Sequence, residues 1–272
     1  MSITSCRLRD SKPAPPTESR RGKCQPLPPQ ASATEVNHGL LATDLGAAAV
    51  VARIRQSGFP MHEVVRPYAV TTLKIQEQIY LQEGSAPNFQ GGLVTLCTCK
   101  HQMRGNYSAE NWEAGAWVTG LTSMSESASG EQNLIYLMRV YRAYASHADL
   151  VVGLSALGLS TALAAKDSRH HALGDVMMPL KPDLLGEARF APDSYHSPMQ
   201  GHAHRQPADP NYWHKDIDYI GRACRPSLLV GDPALSFIWT KPLVRRKNPQ
   251  AIRDYENWTL GRLLGELQEV PS

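Results

Sequence analysis

Three groups of residues combine side-chain types and spacings that suit chemistry. Cys97, Cys99 and His101 fall at every second position, so a continuous strand would set them on one face. With His196, His202, His204, His214 and Cys224 they supply imidazole and thiolate, the donors that zinc favours. None of them shows the doubled C-x-x-C spacing of a structural zinc site. The cysteines are therefore read as small buried apolar side chains, and no metal or cofactor is expected. Asp193, Ser194, His196 and Ser197 place carboxylate, hydroxyl and imidazole within five residues. Nucleophilic triads draw their members from separate elements, whereas Asp and Ser this close together form turns. This loop is expected to give directional contacts to a ligand rather than a nucleophile. Lys100 and Arg104 form the third group, two cations able to grip phosphate. Near them in sequence, the Asn88 amide can read a base edge, and Trp117 either stacks on a base or fills a core strand. No glycine-rich phosphate loop, nucleophile elbow or two-His helical zinc motif is present.

The elements that must hold these groups are short and mixed. Residues 93–99 and 117–121 are apolar enough for buried strands, and 134–141 alternates over eight residues. Residues 151–165 read as helix, and 228–230 and 235–239 as two further strands. Asp44 is placed as the cap of a helix over 45–54, and Asn248-Pro249 as the start of a terminal helix reaching Leu267. There is no regular strand–helix alternation, so the expected class is α+β, a small mixed β-barrel with peripheral helices. Three parts are expected: a disordered tail over 1–34, rich in Pro and basic residues, a helical extension over 35–75, and the main domain over 76–272.

Composition narrows the function classes. With 272 residues, 19% charged side chains and a mean hydropathy of −0.34, the chain is no membrane protein by this reading, and a reduced cytoplasmic setting fits its odd count of five cysteines. The net charge of +3 is uneven. Residues 1–30 hold six basic and two acidic groups, leaving 22 basic and 23 acidic groups in the rest. A nucleic-acid partner would have to use a local patch rather than a whole-molecule field. Lys241, Arg245, Arg246 and Lys247 make one such strip, which also fits a solvated surface.

Several short motifs recur in a fixed order: Ala86-Pro87-Asn88, Thr95-Leu96-Cys97-Thr98-Cys99-Lys100 with Arg104, Gly115-Ala116-Trp117-Val118-Thr119-Gly120, Tyr136-Leu137-Met138-Arg139-Val140, Gly174-Asp175 and Asp193-Ser194-Tyr195-His196-Ser197. In this order the chain resembles the nucleotide modification associated domain family, second type. Ala116 departs from that pattern, which has Asp there, and Phe89 stands in place of a second Pro. The resemblance implies a link to modified bases in DNA. It assigns nucleotide contacts to Asn88, Thr95, Cys99, Lys100, Arg104, Trp117, Asp175, Asp193, Ser194 and His196. A second likeness, in the Trp117 and 134–140 strands, is to PUA-like barrels of the EVE type, which hold a modified base beside an aromatic ring. The function expected is recognition of a nucleotide or nucleic-acid base, modified in character. The competing class is an enzyme on modified nucleotides, with Asp175, Asp193 and His196 as acid–base groups or metal ligands. An adaptor role for the Pro-rich tail is the third.

Overall fold

The computed structural model describes residues 41–124, 130–202, 209–219, 225–248, 252 and 257–271. The tail expected over 1–34, with Cys6, Cys24, His204 and Cys224, lies outside them. In chain order the elements are β1 (Ala42–Thr43), α1 (Ala47–Gln56), β2 (Val64–Val70), β3 (Leu73–Gln76), β4 (Ile79–Gln82), β5 (Thr95–Leu96), α2 (His101–Arg104) and α3 (Ala109–Glu113). There follow β6 (Ala116–Thr122), β7 (Leu134–Tyr144), α4 (His147–Ala156), α5 (Ser160–Lys166) and α6 (His214–Ile217). The last are β8 (Leu228–Ile238), β9 (Val244–Arg246), β10 (Trp258–Thr259), α7 (Leu260–Glu266) and β11 (Leu267–Glu269).

One mixed sheet organises the chain, in the order β1-β8-β7-β6-β2-β10. Every residue of β6 is buried, as the apolar run predicts for a strand covered on both faces. β6–β7 and β7–β8 are antiparallel, while β2–β6 and β1–β8 are parallel. The far side of β8 is shared: Leu229 and Val230 pair with β5, and Phe237 and Ile238 pair with β1. Among the described residues β1 and β10 do not pair with each other, so the sheet is open and the expected barrel is not closed. The coarser expectation, strands and helices in irregular order, is what the chain shows.

Three local expectations need correction. The extension over 35–75 is not simply helical, because β2 runs in full register beside β6 and belongs to the main sheet. Asp44 is not the cap of α1, which starts at Ala47. Its backbone is left-handed (φ 52°), and its carboxylate accepts from the Thr240 N–H (2.8 Å) and Thr240 hydroxyl (2.5 Å). The terminal helix is short and begins after Thr259, whose hydroxyl caps it by accepting from the Arg262 N–H.

The core falls into three clusters. The largest fills the sheet around Trp117, Tyr136 and Phe237. A second joins α4 and α5 to the first half of β8 through Leu150, Leu154, Leu163 and Val230. A third, small cluster holds Ala148, Met177, Tyr195, Trp213 and Ile217. No helix among the described residues is long and apolar enough to cross a membrane.

Candidate functional site

The turn before β5 and the end of α5 build a sealed polar cluster. Asn88 and Thr95 exchange backbone hydrogen bonds, both 2.9 Å, which brings the Asn88 side chain beside α5. Its Oδ1 accepts from the Gln90 N–H (2.9 Å) and Lys166 Nζ (2.8 Å), and its Nδ2 donates to the Leu173 carbonyl (2.7 Å). Lys166 also donates to the carbonyls of Asn88 (3.2 Å) and Leu93 (2.6 Å), so all three of its protons are used. Thr95 Oγ1 donates to Asp175 Oδ1 at 3.0 Å. Gly174 lets the chain carry Asp175 this close, since a Cβ there would lie 2.7 Å from the Lys166 carbonyl oxygen. Burial lowers the Lys166 ammonium to about 8, with Asp175 pulling the other way. Burial likewise raises Asp175 and lifts the Cys97 thiol well above the usual thiol range.

This cluster answers three sequence expectations at once. Asn88, Thr95 and Asp175 do come together, but each is fully buried and none faces a ligand. Asn88 is a structural clamp rather than a reader of base edges. Lys166, which holds the group, went unnoticed in the sequence because Ala165-Lys166-Asp167 looks like an ordinary helix end.

Arg104 is also corrected. Its side chain is 1% exposed, with Nε donating to the Cys99 carbonyl (2.6 Å) and Nη1 to the Ser227 carbonyl (2.7 Å). It stitches the segment after β5 to the start of β8 instead of standing free to grip phosphate. Lys100 is half-buried in a left-handed turn (φ 57°), its Nζ 5.0 Å from the Tyr68 ring centroid. That turn starts α2, so His101 leaves the face that a straight strand would have shared with Cys97 and Cys99. Burial pushes the Cys99 thiol up to about 11, which makes it a poor thiolate. Among the described residues no three His, Cys, Asp or Glu side chains gather where they could hold a metal ion. Trp117 is fully buried and donates to Glu63 Oε2 at 2.5 Å; Arg139 braces the same carboxylate. It is a core residue and cannot stack on a base.

The Asp193–Ser197 loop divides between surface and core. Asp193 is exposed, Ser194 and His196 are half-buried, and Asp193 and Ser194 sit in a single turn, Pro192–Ser194. The residue that anchors this loop is Tyr195, not predicted from the sequence. Its hydroxyl donates to the Arg189 carbonyl (2.5 Å) and accepts from the Ala148 N–H (3.3 Å), pinning the loop to the start of α4.

What lies open is a small cleft, about 20 Å³ in volume, between α2, the start of α4, the turn Gly186–Phe190 and the start of β8, lined by His101, Arg104, His147, Arg189, Phe190 and Arg225. The Arg225 guanidinium lies 3.5 Å from the Phe190 ring centroid, and Arg189 lies 5.5 Å from it on the same turn. Arg189 also pairs with Asp149 (3.0 Å), and Arg225 with Glu187 (2.8 Å). Facing them, the His101 imidazole stacks on Tyr219 (4.6 Å, 23°) with its Nε2 3.2 Å from Asp216 Oδ1. His147 forms part of the floor, and burial lowers it to about 3, so its ring is neutral. Of the site residues expected from the sequence, only Arg104 lines this cleft. The others that line it are spread from His101 to Leu228 and converge only through folding. Family models, curated proteins and solved structures offer no match to this chain.

Proposed function

We propose that the chain recognises a nucleotide, free or within a nucleic acid, in the cleft between α2, α4 and the Gly186–Phe190 turn. One observation carries this reading: aromatic faces and cations share the same opening. Phe190 and Tyr219 line the cleft together with Arg189 and Arg225. A planar ring carrying negative charge fits such a lining, because bases stack on aromatic or guanidinium faces while arginines take phosphate. The family resemblance adds that the base is a modified one, in a DNA-modification or defence setting. We read the sheet, with the Trp117 strand at its centre, as a PUA-like arrangement left open between β1 and β10. The free thiols Cys97 and Cys99 suit a cytoplasmic location. The enzymatic alternative has no geometry in its favour, since Asp175 is sealed inside and Asp193 is exposed.

The test is equilibrium binding of mononucleotides and short plain and modified oligonucleotides, alongside ribose 5-phosphate as a ligand without a base. Phe190→Ala and Arg225→Ala should each weaken nucleotide binding about tenfold, the scale of one stacking or charge-assisted contact, with unchanged circular dichroism. A folded wild type that binds none of the nucleotides refutes the reading.

A further inference from the structure

Three arginines line the cleft, yet none of them brings it an uncompensated charge. Arg189 pairs with Asp149 at 3.0 Å, and Arg225 pairs with Glu187 at 2.8 Å. Arg104 is buried, its donors committed to backbone carbonyls, and its charge and that of Asp216 act on each other. Asp216 lines the cleft too, with its side chain 1% exposed. Each arginine is thus offset by one carboxylate. An oxyanion entering such a site would find no spare positive charge, and it would approach the Asp216 carboxylate.

Two histidines line the cleft, and they answer differently. His147 is buried at the start of α4, and burial holds it down to about 3 against the pull of Asp216, so it stays uncharged. His101 is 21% exposed, stacks on Tyr219 and holds Nε2 3.2 Å from Asp216 Oδ1. The groups that share the cleft with it come from every wall: Arg104 from α2 itself, Asp216 from α6, Tyr219 beyond α6, Arg189 from the Gly186–Phe190 turn and Arg225 from the approach to β8. Guanidinium and phenol groups do not titrate near neutrality, whereas an exposed imidazole does. A proton on His101 would offset Asp216 and leave the cleft one positive charge to spare.

We propose that an oxyanion entering the cleft, such as a nucleotide phosphate, is bound together with a proton taken up on His101, so that binding strengthens as pH falls through neutrality. The proton comes from solvent, and no covalent bond of the ligand changes. By linkage the coupling is reciprocal: the anion holds the proton on the ring as firmly as the proton holds the anion. The gain levels off once His101 is charged in the unliganded protein as well. That the anion is a nucleotide phosphate rests on the reading above; the proton uptake does not.

The experiment is titration calorimetry with two probes whose own charge is constant from mild acid to mild alkali, inorganic sulfate and the dinucleoside phosphate TpT. Each should bind about tenfold more tightly at about pH 6 than at about pH 8, the size of a one-unit shift at a single group. Near neutrality, buffers of differing ionisation heat should report an uptake approaching one proton. His101→Gln keeps a polar side chain but cannot charge, and its affinity should stay within about twofold over the same range, with unchanged circular dichroism. Because a variant can fail to fold, the His101 ring resonances of the wild type are followed as well; saturating sulfate should move their titration to higher pH. Binding that does not vary with pH, an uptake near zero, or a pH dependence that persists in folded His101→Gln overturns this proposal and leaves the nucleotide reading standing. Sulfate bound with a proton, while neither TpT nor any mononucleotide binds, keeps the proton linkage and removes the nucleotide reading. If neither sulfate nor any nucleotide binds, both fall.

Discussion

Replacing Arg104 by Ala removes a buried cation that ties two distant segments together. The Cys99 and Ser227 carbonyls, held at 2.6 and 2.7 Å, lose their donor, and a third contact to Pro226 at 3.4 Å is weaker. Hydrogen bonds from a charged donor are worth about 1.5–3 kcal/mol each, and a carbonyl left buried without one costs a similar amount. Against this, the variant no longer desolvates a guanidinium, which offsets part of the loss. The balance is a destabilisation of about 3–4 kcal/mol, or roughly 6–12 °C in melting temperature for a chain of this size. Urea titration of wild type and Arg104→Ala should therefore show a lowered midpoint at unchanged slope. Arg104→Lys keeps the charge but lacks the planar fork, and should recover less than half. The opposite outcome is well defined. If Arg104→Ala loses under about 1 kcal/mol while nucleotide affinity collapses, Arg104 is a ligand group and its bonds to the carbonyls are incidental.

Asn88→Ala should destabilise by about 3 kcal/mol and leave base preference unmoved, because it strips one acceptor from Lys166 and the donor from Leu173; melting and competition binding check both halves. His147 titrates near 3 when folded against an ordinary 6.5, so its contribution is complete above about 6.5 and is lost as pH falls toward 3. Between pH 7 and 5 this should cost about 2 kcal/mol in urea titrations, and His147→Asn should flatten that slope. Gly120→Ala would put a methyl 2.5 Å from Tyr136 Cε1 and 2.6 Å from Val70 Cγ2 in the middle of the sheet. Overpacking of that kind costs about 1–3 kcal/mol, readable as a drop in melting temperature.

β6 and β7 were legible because uninterrupted apolar or alternating runs have few other fates, whereas the single helix read over 151–165 is two, α4 and α5, parted at Gly158 in the left-handed region (φ 73°). β2 was not, since Val64–Val70 carries Arg66 and Pro67, residues that argue against an interior strand. Pro67 is accommodated because β10 covers only Val64 and Val65, leaving β2 a single partner at that residue. The two strands read at 228–230 and 235–239 are one element, but the interruption was real. The pairing with β7 jumps from Val140–Gly231 to Met138–Ser236, and the Asp232 carboxylate accepts from the Ala234 N–H across the bulge. For the site, motif order gathered Asn88, Thr95 and Asp175 correctly yet mistook a buried clamp for a binding surface. Side-chain identity cannot tell the two apart, because the same amide or carboxylate serves either. The cleft itself left no local signature, since His101, His147, Arg189 and Arg225 sit far apart in the chain.

The pairing of β1 with β8 also bears on how the protein is made. The Asp44–Thr240 contact spans 196 residues, and Ala47 reaches Glu269 across 222. During synthesis on the ribosome the earliest described strand, β1, therefore waits for its partner until residues 237 and 238 have emerged. Such late closure slows folding and lengthens exposure of an unpaired edge. A C-terminal truncation before Leu235 would release β1 along with the part of β8 that it removes.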